Sequence, residues 1–184
     1  MASTYVNNLR LNEMATGDAS GTWGTVTNTN LELIGEALGY NTQDCFSSDA
    51  DATTTVADGA TDPARALYFK VTSSATLSAT RTLTIAPNTV SRVVFIENAT
   101  TGSQSINISQ GSGANVTIPT GDTKVVYLDG AGSGAAVTDA FASLNVVDLK
   151  VEDDLTVTDD LIVNGDIDLE GSIDVNGTAN LDVV

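Results

Sequence analysis

Histidine is missing from this sequence altogether. With it go the commonest general base, the usual activator of a Ser or Cys nucleophile and the commonest transition-metal ligand. Cysteine is nearly as scarce. Cys45 stands alone, so neither a disulfide framework within the chain nor a thiolate metal cluster is available. Its neighbours Asp44, Asp49 and Asp51 are the opposite of the cationic setting that activates a thiol, and Cys45 reads as a small hydrophobe. Basic residues number seven against 24 acidic ones, a net charge of −17. A phosphate-binding surface needs clustered Lys and Arg, so this balance argues against nucleic acid and against an anionic membrane surface. No apolar run approaches the roughly 20 residues that span a bilayer, and membrane insertion is not expected. The opening Met1–Arg10 lacks the apolar core of a signal peptide. The expectation is synthesis in a host cytoplasm, with cell lysis as a way out.

Catalytic constellations are equally thin. There is no Walker-type loop, no dinucleotide glycine fingerprint and no nucleophile elbow. The glycine-rich stretches 111–113 and 130–134 lie between strand signals with no helix after them, and they read as turns. No enzyme activity, cofactor or metal is expected.

Aromatic residues are few: one Trp, four Tyr and four Phe in 184 residues. Val, Ile and Leu remain plentiful, which predicts thin β-structure with narrow cores rather than disorder. The fold class expected is all-β, in three zones. Residues 1–49 form an extended segment with one short helix. Thr29 and Glu32 have capping-box spacing, Leu31, Ile34 and Leu38 share a face, and Gly39 is a natural stop, so the helix is expected over 29–38. Ten residues are marginal as an isolated helix. It must therefore pack on something, with Trp23 as anchor of either a local mini-core or an interface.

Residues 50–140 predict a small antiparallel β-sandwich. Strands are expected at 66–71, 83–85, 92–98, 105–109, 115–118 and 124–129, separated by Gly, Pro and Asn turns. The continuous apolar runs 93–96 and 125–128 are expected as central strands buried on both faces, and Tyr68, Phe69, Phe95 and Tyr127 as core.

Residues 141–184 carry a six-residue period with apolar residues at its first and third positions. The first positions are Leu149, Leu155, Leu161, Ile167, Ile173 and Ala179; the third are Val151, Val157, Val163, Leu169, Val175 and Leu181. Turns such as Asn164-Gly165 and Asn176-Gly177 tolerate positive φ. Each unit reads as a short strand with both apolar side chains on one face. Two buried aliphatic side chains contribute about 1.5–3 kcal/mol each. Ordering six backbones costs about 1–2 kcal/mol apiece, so one unit cannot hold itself. A single-chain β-helix would have only two coils here, fewer than such stacks need. An intertwined trimeric β-helical shaft is favoured, its core made of those Leu, Ile and Val residues. The acidic residues of this zone face Lys150 as their one cation and read as a solvated outer face, with cation-bound carboxylate rings as the alternative. The pattern runs to Val184 without a polar cap, and a longer array is expected.

Two groups of residues resemble a known family. The first is Tyr5-Val6-Asn7-Asn8-Leu9-Arg10-Leu11 together with Gly21-Thr22-Trp23-Gly24-Thr25 and Thr27–Ile34. The second is the strands 91–98 and 123–130 with the units at Leu155–Val157 and Leu161–Asp166. These resemble the N-terminal region of tail-fibre-like proteins of short-tailed phages, marine ones especially. The resemblance implies a homotrimeric structural protein of the virion tail. Its N-terminal zone would dock on the tail adaptor near the portal, with Trp23, Leu31, Ile34 and Leu38 as attachment surface, and its shaft would project toward the host cell surface. The rival readings are a carbohydrate-binding adhesive module, which would need exposed aromatics beside polar groups, and a capsid decoration protein.

Overall fold

Apolar and polar side chains alternate along most of the strands of the first 140 residues, and the chain folds so that one parity points inward. The computed structural model describes residues 3–157, 159–168 and 170–177 and resolves into two compact units, Met1–Leu144 and Asn145–Val184. Among the described residues the first unit, the body, contains one α-helix, α1 (Trp23–Ala37), two single-turn 3-10 helices (Pro63–Arg65 and Gly132–Gly134) and nine strands. They are β1 (Tyr40–Asp44), β2 (Ala52–Thr55), β3 (Tyr68–Thr76), β4 (Arg81–Ala86) and β5 (Arg92–Thr101). After them come β6 (Ile106–Ser109), β7 (Val116–Ile118), β8 (Thr123–Leu128) and β9 (Val137–Asp139).

The chain is mostly sheet, as expected, but the sheets are mixed rather than antiparallel. One has the order β1-β3-β5-β8-β9, the other β2-β4-β6-β7. The first three strands of each run parallel, and only the last pairings are antiparallel. Because β1 to β6 alternate between the sheets, the backbone winds from one sheet to the other and back, and each winding stacks in register on the last. Tyr40, Tyr68 and Phe95 thus lie side by side on β1, β3 and β5. The inward parity of both sheets supplies one core, including Phe69, Val71, Leu83, Ile85, Val94, Ile96, Ile106, Ile108, Ile118, Val126 and Leu128. Buried Asn98 fits because its amide donates to the Gln104 and Ile118 carbonyls, at 3.0 Å each, and its oxygen accepts from Thr100.

Three sequence expectations are corrected here. Helix α1 begins at Trp23, not Thr29, with Thr22 at its N-cap making no side-chain capping bond. The side chain of Asn30 is engaged elsewhere: it accepts from the Asn12 amide and donates to the Asn12 carbonyl, both at 2.9 Å. That pairing holds the N-terminal segment against the helix, whose residues 23–29 are weak helix formers. Strand β1 is hydrogen-bonded to β3, so the boundary expected near Asp49 falls inside one structural unit. Strands β5 and β8 are central, yet Val93, Phe95 and Tyr127 are 46%, 37% and 41% exposed, so their outer face is uncovered in the single chain.

A buried guanidinium ties the N-terminal zone to the sheets. Arg65 is fully buried and donates to the carbonyls of Leu9, Ala57 and Ala60 and to Asp62 Oδ2. Its Nε lies 3.8 Å from Glu36 Oε2 on α1, and Glu36 also accepts from the Asp62 amide. The Arg65 and Ala66 carbonyls in turn accept from Arg92, at 2.5 and 2.7 Å. Burial lowers the Arg92 guanidinium to about 10.

Candidate interaction surface

Strand parity places a row of aromatics on the outer face of the five-stranded sheet. Phe69 and Val71 point inward, so Tyr68 and Lys70 point out; Val94 and Ile96 point inward, so Val93, Phe95 and Glu97 point out. The ring centroids of Tyr40 and Tyr68 are 5.7 Å apart, and those of Tyr68 and Phe95 are 6.2 Å apart and stacked. A groove of about 420 Å³ runs along them, lined by Leu38, Gly39, Tyr40, Leu67, Tyr68 and Phe95. The row corrects the sequence expectation: of Tyr68, Phe69, Phe95 and Tyr127, only Phe69 is buried in the core. The signal was present, since Lys70 and Glu97 share parity with Tyr68 and Phe95 and mark that side as outward.

Beside the row, Lys70 and Glu97 pair with each other. Lys70 Nζ lies 2.7 Å from Glu97 Oε1, and the Tyr68 hydroxyl bonds Glu97 Oε2 at 3.0 Å and Thr123 Oγ1 at 3.1 Å. The hydrogen bond from Lys70 holds the Glu97 carboxyl below the usual range and raises the Lys70 ammonium.

Helix α1 contributes the second half of the surface. Trp23, Leu31, Ile34 and Leu38 are 65%, 60%, 38% and 73% exposed. At 3.6 residues per turn these four fall within an arc of about 80°. Leu33 and Ala37 occupy a different arc and are buried in the body. Leu38, at the helix end, also lines the sheet groove, so the stripe and the aromatic row adjoin. The structure therefore brings the four residues singled out from sequence together, and adds the Tyr40–Tyr68–Phe95 row beside them.

In the second unit, bends recur with the period of the sequence, at Glu152-Asp153, Asp159, Asn164-Gly165, Glu170-Gly171 and Asn176-Gly177. Between them the described residues form no strand, and every one from 145 on is exposed. Leu149, Leu155, Leu161, Ile167 and Ile173 are exposed by 61–69%, while Val151, Val157, Val163 and Val175 are exposed by 42–50%. Each register position thus repeats its own environment every six residues. Leu169 and Leu181, also expected in the shaft core, lie outside the described residues.

The Cys45 thiol is pushed up to about 12, chiefly by burial and further by Asp44, and it packs against the core as a hydrophobe. Among the described residues no group of three or more His, Cys, Asp or Glu could hold a metal ion, and no helix is long and apolar enough to cross a membrane. Comparison with protein families, curated proteins and solved structures finds no match for this chain.

Proposed function

We propose that this chain is a structural component of a virus particle, a homotrimeric tail fibre whose N-terminal zone meets the tail adaptor and whose six-residue units build an intertwined β-helical shaft. One observation supports the trimer most: the apolar pairs of the repeat recur in a regular, bent conformation, and all those described are exposed in the single chain. Exposed aliphatic residues in such a series need a cover. Matching units from two further chains supply both the apolar contacts and the missing strand partners. The tail-fibre assignment rests on the resemblance of the Trp23 segment and the repeat units.

Light scattering on the full chain tests this reading: a mass of three chains is expected, and a single-chain mass overturns it. Antibody labelling of particles separates a tail position from a capsid decoration. A second reading, an adhesive carbohydrate-binding module, draws support from the exposed Tyr40–Tyr68–Phe95 row. Against it, the groove walls are apolar and the Tyr68 hydroxyl is already committed to Glu97 and Thr123.

A further inference from the structure

We infer that the α1 stripe of one copy of this chain lies against the aromatic row of the next, closing a ring of three bodies. The inference rests on the trimeric reading above and assigns the stripe to a contact between copies instead of the virion contact expected from sequence.

Three features select a second copy as the occupant. The first is charge. Chains carrying −17 each repel one another, and they meet most readily where charge is absent or already paired. The stripe presents Trp23, Leu31, Ile34 and Leu38, and on the row side Glu97, which bonds the Tyr68 hydroxyl, is paired with Lys70. The second is size. Stripe and row together leave bare more contiguous apolar side-chain surface than the roughly few hundred Å² a monomer ordinarily exposes, and in a ring each half is covered by a different neighbour. The third is that the surface has two unlike halves joined at Leu38. A ring needs two different surfaces on every copy, the front of one meeting the back of the next, whereas a twofold contact needs only one. A glycan fits less well, because the groove offers it few free hydrogen-bonding groups.

Hydroxyl-radical footprinting of the full chain, paired with its mass by light scattering, tests the contact. Rates are normalised to those of the urea-unfolded chain, with Met14, 37% exposed, as internal reference. Trp23 and Phe95 are expected to oxidise roughly tenfold more slowly than Met14, as residues do where an interface excludes water. In the Leu31→Asp variant, Phe95 is expected to return to the Met14 rate while the mass stays at three chains. Leu31 is exposed, so this change leaves the body folded. Phe95 or Trp23 oxidising as fast as Met14 in a three-chain assembly overturns the inference and leaves the trimeric reading standing. Phe95 protected equally in Leu31→Asp also overturns it, because the helix is then not the cover. A single-chain mass overturns the trimeric reading itself, and protection in that single chain assigns the cover to the chain's own residues.

Discussion

The body and the repeat unit use the same aliphatic residues with opposite outcomes. In the body, Ile96, Ile106, Ile108 and Leu128 are fully buried between two sheets that one chain supplies by winding back and forth. In the repeat unit, Leu155, Leu161 and Ile167 are more than half exposed. Hydrophobicity per residue does not separate the two regions. Return of the chain does: each winding of the body lays a strand beside one already in place, whereas the described residues of the repeat form no strand and are all exposed. The winding chain completes its own core; in the trimeric reading proposed above, the repeat completes its core with copies.

The largest effect follows from loading the proposed shaft axis with charge. Leu155→Asp combined with Leu161→Asp places three carboxylates in each of two successive layers of a trimer, where burial of unpaired charge is prohibitive. The full chain is expected to fall from three-chain to single-chain mass by light scattering, while backbone amide protection in β3, β5 and β6 is retained. A variant that stays trimeric breaks the contrast, because the apolar positions would then not form the axis.

The converse change strikes the body and spares the axis. Replacing Arg65 by Met leaves Asp62 and Glu36 beside each other without their shared cation and frees the Leu9, Ala57 and Ala60 carbonyls. Removing one partner from a buried ion pair typically costs about 3–5 kcal/mol. The body's thermal transition is expected to drop by roughly 10 °C, on the scale of a few degrees per kcal/mol for a domain of this size. Circular dichroism reads the drop, and light scattering below the transition should still find three chains.

Sequence patterning reached these two regions unequally. Strands β3 to β8 were legible because their alternation and flanking turns are local signals, and the repeat was legible because its period is. Strands β1, Tyr40–Asp44, and β2, Ala52–Thr55, went unread: they are polar, and only parallel pairing with β3 and β4 makes them strands. That pairing joins residues far apart in the chain and leaves no short-range trace, which is also why mixed sheets were read as antiparallel. The start of α1 was missed because residues 23–29 are weak helix formers and no capping side chain marks their beginning. Of the interaction surface, Leu31, Ile34 and Leu38 were legible from helical spacing, whereas Trp23 was singled out as an anchor outside the expected helix. The aromatic row required knowing that β1, β3 and β5 lie in register.

Acid sharpens the comparison by a smaller margin. In the body, the hydrogen bond from Arg81 holds the Asp49 carboxyl well below the usual range, and that from Lys70 lowers Glu97. The Phe141 amide lowers Asp139, and hydrogen bonds from Ser74 lower Asp44. A carboxylate whose folded value lies below its unfolded value, about 4, stabilises the fold above that pH. The stabilisation is lost as pH falls through the folded value. Asp62 has the opposite sign, since burial raises it and protonation relieves the cost of the buried charge. With the lowered groups outnumbering the raised one, the body's melting temperature is expected to fall below about pH 4. Asp49→Asn should flatten that fall without abolishing it; an unchanged slope would remove Asp49 from the set. The repeat unit holds its carboxylates against Lys150 as its one cation. Like charges brought together by association repel, and salt screens them. Added salt is therefore expected to strengthen association while leaving the body's acid transition in place, so that each region answers to its own variable.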